Sequence, residues 1–119
     1  MQWIILIGDE TLNLNIIKKI EHYGSISSNE VNETRYCVNY GKDHIFYDDP
    51  GNIIEDYEEE DRLKIPFKNP HFIMMVYTSK SLMKKILQQN NYLDDIYIDN
   101  DQGYILPIKE FIEMGMPVD

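Results

Sequence analysis

Phe72-Ile73-Met74-Met75-Val76-Tyr77, followed at once by Thr78-Ser79 and then by Lys80-Ser81-Leu82-Met83-Lys84-Lys85-Ile86-Leu87, is the stretch that decides the fold. Six apolar residues in a row, bounded by hydroxyl side chains, read as a buried strand. Thr78 or Ser79 then caps a helix, because Leu82, Met83, Ile86 and Leu87 recur at steps of three and four. The same order opens the chain. Trp3–Gly8 is an apolar strand, Asp9 or Thr11 caps a helix carrying Leu12, Ile16, Ile20 and Tyr23, and Gly24 stands where that helix should stop.

Working outward, each strand–helix pair is followed by a hairpin. In the first half a polar link, Ser25–Thr34, leads to strands Arg35–Tyr40 and Asp43–Asp48, which turn at Tyr40-Gly41-Lys42. In the second half strands Asp95–Asp99 and Tyr104–Leu106 turn through Asn100-Asp101-Gln102-Gly103. Proline then starts a second helix in each half. Asp49-Pro50 begins a short acidic helix to about Tyr57, and Pro107 begins one with Ile108, Phe111 and Ile112, stopped by Gly115.

The halves, about 1–57 and 71–115, therefore share one order of elements: strand, helix, strand, strand, helix. The connector 58–70 holds Pro66 and Pro70 and reads as irregular. Neither half can bury its apolar face alone, so 1–119 reads as a single α+β domain. The expectation is two layers, with helices packed on a mixed sheet of about six strands, related to ferredoxin-like folds.

The 119 residues carry 21 acidic and 11 basic side chains, a formal charge of -10. A hydrophobic share of 43% with 12% aromatics is that of a folded domain rather than a disordered acidic tail. Such a charge repels phosphate backbones and anionic lipid, so neither nucleic acid nor membrane is an expected partner. The run Trp3–Ile7 is too short for a signal peptide or a membrane span, and the single Cys builds no disulfide framework. A reducing cytoplasm is the expected location.

No glycine-rich phosphate loop follows either leading strand, and no Gly-x-Ser-x-Gly elbow frames a serine. His22, His44 and His71 are too far apart in sequence to ligate metal from one helix face. Cys37 and His44 face each other only if Tyr40-Gly41 forms a two-residue turn. Asp99–Gly103 fails as a calcium loop, since counting from Asp99 puts Gly103 at position five and Tyr104 at six. The expectation is no catalytic residue, no cofactor and no metal.

What remains is patterned charge. Between Asp48 and Asp61, fourteen residues hold eight acids and no base: Asp48, Asp49, Glu55, Asp56, Glu58, Glu59, Glu60 and Asp61. A second group is Asp94, Asp95, Asp99 and Asp101. Tyr47 and Tyr57 are interleaved with the first, and Tyr92, Tyr97 and Tyr104 with the second. A solvated face accounts for such a pattern; so does a contact surface, in which Tyr47, Tyr57 and Tyr97 anchor a basic partner that the carboxylates steer.

A compact, acidic, Tyr-rich domain is similar to the small immunity proteins of bacterial toxin–immunity systems, with Tyr57-Glu58-Glu59-Glu60-Asp61 and the Asp94–Asp101 stretch as the carriers. The resemblance implies a non-enzymatic inhibitor covering the basic active site of a cognate toxin, as a monomer or weak homodimer. Two other readings stand beside it. One is a regulatory domain that binds a small molecule between the repeated halves, as a homodimer; the other is a hydrolase using strand-end carboxylates and a metal.

Overall fold

A computed structural model describes residues 2–119. Seven strands form one sheet: β1 (Gln2–Gly8), β2 (Ser27–Asn32), β3 (Arg35–Asn39), β4 (His44–Asp48), β5 (His71–Tyr77), β6 (Tyr97–Asp99) and β7 (Ile105–Pro107). Their order across the sheet is β2-β3-β4-β5-β1-β6-β7, and every ladder is antiparallel. The expected mixed sheet of about six strands is thus corrected on both points. The strand–helix–strand unit from β5 to β6 does give two parallel strands, but β1 is inserted between them and pairs antiparallel with each. The added strand is β2, inside the supposed polar link. All six of its residues are exposed, so it carries none of the apolar alternation by which a strand is read.

Each half completes its sheet on the other. The first hairpin pairs through β4 with β5, and the second through β6 with β1. No boundary crosses the sheet.

Alternation along the strands gives the sheet two faces. One carries Ile4, Leu6, Ile45, Ile73, Met75 and Ile98, all at most 1% exposed. The α-helices among the described residues are α1 (Leu14–Lys18), α2 (Glu59–Arg62), α3 (Lys80–Leu87) and α4 (Ile108–Glu113). The first face is covered by α1, α3 and α4, through Leu14 and Ile17, Met83 and Ile86, and Ile108 and Phe111. Each such side chain taken fully from water contributes ~1.5–3 kcal/mol. Ser79 caps α3 as expected, its hydroxyl accepting from Leu82 N at 3.2 Å, and Gly115 at φ 85° follows the end of α4. The first helix is shorter than its periodicity suggests. Asn13, not Asp9 or Thr11, caps it, accepting from Ile16 N at 3.0 Å, while Asp9 accepts from Thr11 instead.

The other face is only partly covered. Ile7, Phe72 and Ile105 pack against Ile65, with Ile53, Ile54, Tyr57 and Phe67 around them. Here the expected acidic helix from Pro50 to Tyr57 is corrected. Gly51 sits at φ 77°, outside helical space, and only one 3-10 turn forms, at Ile54–Asp56, after Asn52 accepts from Ile54 N. The true helix, α2, lies inside the segment read as irregular. This segment and α4 therefore cover opposite faces of the sheet, and β2 has no counterpart after α3, so the two halves differ both in element order and in space. The structure is a sheet-rich single domain with few helices, and the expected two-layer, ferredoxin-like arrangement does not describe it. Among the described residues, no helix is long and apolar enough to cross a membrane.

Candidate functional site

The two acidic groups of the sequence meet in one groove. Its wall is the segment around the 3-10 turn and α2, which supplies Asp56, Glu58 and Asp61; the facing wall is the β6–β7 turn, which supplies Asp99 and Asp101. Ile5, Ile53 and Ile105 form the apolar floor, and the cavity measures about 480 Å³. Asp99 stands at the end of β6, opposite Ile5 of β1, so sheet register fixes it against the floor. Asp101 follows in a turn at φ 57°, a conformation that Asp tolerates better than most residues.

A short side-chain hydrogen bond ties the walls together. The Tyr57 hydroxyl donates to Asp99 Oδ2 at 2.7 Å, across 42 positions of sequence, while its ring stacks on Phe72 at 5.6 Å. Burial, then the bond to Asp99 and the nearby carboxylates, push the Tyr57 hydroxyl far above its ordinary range. Tyr57 is a permanent donor here.

Cations are sparse. Lys64 closes one end, 3.3 Å from Asp61 and 3.5 Å from the Gly103 carbonyl. Arg62 is turned toward the Tyr57 and Glu55 carbonyls and the Glu55 carboxylate. Five carboxylates thus line the groove, with one lysine at its edge.

The other expected contact residues are dispersed. Glu59 and Glu60 are exposed on α2, outside the groove, and Asp95 is exposed before β6. Asp94 belongs to a separate groove between the ends of α3 and α4. Asp48 is held by Arg35 through two bonds of 2.6 and 2.8 Å, and Asp49 lies in another cavity. Tyr97 packs edge-on against Phe67.

Tyr47 requires correction. It is fully buried on the helix-covered face, where its hydroxyl meets His22 Nε2 at 2.8 Å and Tyr92 OH at 2.9 Å. His22 Nδ1 lies 3.0 Å from the Ile20 carbonyl. A carbonyl can only accept, so Nδ1 carries the proton and Nε2 accepts from Tyr47. Strand alternation places Tyr47 inward, together with Ile45. That alternation is legible in the sequence beside the neighbouring acids.

The pairing of Cys37 with His44 is settled by register. The turn is Gly41-Lys42, not Tyr40-Gly41, since Tyr40 N donates to the Asp43 carbonyl at 2.9 Å. Cys37 then stands opposite Phe46 and His44 opposite Asn39, which sets the two on one face but diagonally. Burial raises the Cys37 thiol pKa, with Arg35 only partly opposing it. Among the described residues, no group of three or more His, Cys, Asp or Glu side chains is placed to hold a metal ion.

A second concavity lies where the halves join. Asn13, Asp49 and Asn52 from the first half meet Asn69 of the connector and His71 of the second half around a cavity of about 300 Å³. No sequence spacing marks it, because its walls come from four separate loops and strand ends.

A scan of protein-family models, a search of curated proteins and a search of solved structures each return no match for this chain.

Proposed function

We propose that the chain is a non-enzymatic binding protein that docks its acidic groove onto a basic protein partner, as an immunity-type inhibitor would. The observation that supports this most is the convergence of two acidic segments, far apart in sequence, on one groove with an apolar floor. A groove of that kind accepts a lysine or arginine side chain: the floor contacts the alkyl stem and the carboxylates take the head. The surrounding charge of -10 raises the rate of encounter with a cationic protein.

The test is capture of the partner from the source organism, followed by association kinetics. Asp56→Lys and Glu58→Lys combined with Asp101→Asn should slow association at least about tenfold, and wild-type association should fall steeply with salt. Asn is chosen at 101 because it keeps the positive φ. Reversal of Glu59, Glu60 and Asp95, outside the groove, should have the smaller effect. Equal rates for both triple variants, at low and high salt alike, would end this reading.

A second reading is favoured by the cavity between the halves. It places a small polar ligand against Asn13, Asn52, Asn69 and His71, as a regulatory ligand-binding domain would. A thermal shift with a polar small molecule, abolished by His71→Ala, would bring it forward.

A further inference from the structure

The incompletely covered face of the sheet carries an apolar row that neither core uses. Trp3 of β1 stands opposite Val76 of β5, Val76 opposite Phe46 of β4, and Phe46 opposite Cys37 of β3. Side chains directly opposite share a face, so these four form one row across four strands, roughly 15 Å wide at ~4.8 Å per strand. Trp3 is 41% exposed, and Phe46 and Met74 are partly exposed. Val76 and Cys37 are shielded but belong to neither core cluster.

A single exposed aromatic would mean nothing. This row is ordered and backed by central strands. Arg35, held by Asp48, lies with its guanidinium 4.6 Å from the Phe46 ring centre, and His44 stacks on the same ring. The row is also continuous with the acidic groove at two residues. Ile5 lines the groove floor and pairs with Met74, while Asp101 lines both the groove and a small cavity beside Trp3.

We propose that Trp3, Phe46 and Met74 form the apolar centre of the partner interface, with the acidic groove as its charged flank. The occupant is a protein that presents an apolar projection beside lysine or arginine side chains. This inference rests on the basic-partner reading above and adds the residues that hold the complex once the carboxylates have brought it together. Charge complementarity selects that occupant: a cationic protein is drawn to a chain of charge -10, whereas a second copy carries the same charge and is repelled. Interfaces of this design concentrate affinity in a few aromatic anchors surrounded by polar contacts.

Trp3 is the only Trp in the chain, so it reports on its own face. Three synthetic ten-residue peptides serve as probes: alternating leucine and lysine, alternating serine and lysine, and alternating leucine and glutamate. The leucine–lysine peptide should shift Trp3 emission to the blue and saturate. The other two should bind at least about tenfold more weakly. By calorimetry, Met74→Glu and Trp3→Ser should each weaken the leucine–lysine peptide at least about fivefold, with unchanged circular dichroism and melting curves.

Equal binding of the serine–lysine and leucine–lysine peptides, with both variants silent, would overturn the apolar centre and leave the acidic groove standing. Binding of the leucine–lysine peptide that ignores salt and the Asp56/Glu58/Asp101 variant would count against the groove instead. A concentration-dependent dimer in sedimentation, dissociated by Trp3→Ser, would assign the row to a second copy and overturn the proposal. No Trp3 response at about millimolar leucine–lysine peptide would overturn it as well.

Discussion

The two faces of this sheet follow the same alternation of side chains but have different covers. On one, three helices set apolar residues against the strands, and Leu6, Ile17, Met75, Ile98 and Phe111 are sealed from water. On the other, a 3-10 turn, the four-residue α2 and their flanks help to bury Ile7, Phe72 and Ile105. Beyond them Trp3, Phe46 and Met74 stay partly exposed. The helices on the sealed side, five to eight residues long, each bury at least two apolar side chains, whereas neither the 3-10 turn nor α2 buries any. A short turn touches one point and leaves a groove beside it. The face that is poorly covered is therefore the one with surface to offer a partner.

The largest expected difference between the faces is in stability. Leu6→Ala, on the sealed side, should cost about 3 kcal/mol or more in urea unfolding, since the surrounding helices cannot collapse into the cavity. Ile65→Ala, on the thin side, should lie near about 2 kcal/mol, because its four-residue cluster borders solvent and can relax. Equal losses would mean that the two cores are equally packed, and the contrast would fail.

Next in size is the bond that closes the groove. Tyr57→Phe keeps the stacking on Phe72 and removes the donor to Asp99, which should cost about 1 kcal/mol. The same variant should leave the groove walls free to part, read as faster hydrogen exchange in residues 54–62. A melting temperature and exchange pattern matching wild type would show that this bond does not hold the walls.

The sealed face also holds the one buried imidazole, and it sharpens the comparison through pH. Burial lowers the His22 pKa below its ordinary 6.5, with the Ile20 carbonyl only partly opposing it. Above pH 6.5 the ring is neutral in both states and exacts no penalty. As pH falls below 6.5, the unfolded chain binds a proton that the folded chain resists, so stability declines. Unfolding curves between pH 7.5 and 5 should show that decline, and His22→Gln should reduce its slope. An unchanged slope would remove His22 as the cause.

The smallest effect is expected at the Arg35–Asp48 pair on the open face. Its side chains remain 34% and 24% exposed, so Arg35→Gln should change stability by no more than ~1 kcal/mol. A larger loss would point to the contact of Arg35 with Phe46 rather than to the charge pair.

How far the sequence could be read follows from which signals are local. The strands at β1 and β5, the Ser79 cap and the stop at Gly115 were legible, because each depends on neighbours a few residues away. β2 was not legible: Ser27–Asn32 has no apolar side chain facing the core and is a strand only because β3 offers an edge to pair with. The helix expected after Pro50 failed on Gly51, whose positive φ belongs to the turn and not to the Pro signal. Of the candidate site, the acids and Tyr57 were visible as composition. Their meeting was not, and neither was the shared row of Trp3 and Phe46.

By itself, then, the sequence determined the leading strands β1 and β5, the helix capped by Ser79, the two hairpins and the strong negative charge, since these follow from periodicity, capping and counting. The tertiary structure alone decided that β1 lies between β5 and β6, that the sheet is antiparallel throughout, and that Asp99 meets Tyr57. Strand order and cover are set by which apolar faces find each other across tens of residues. That choice leaves no periodic trace in the chain, because any strand with the right alternation could have filled the same slot.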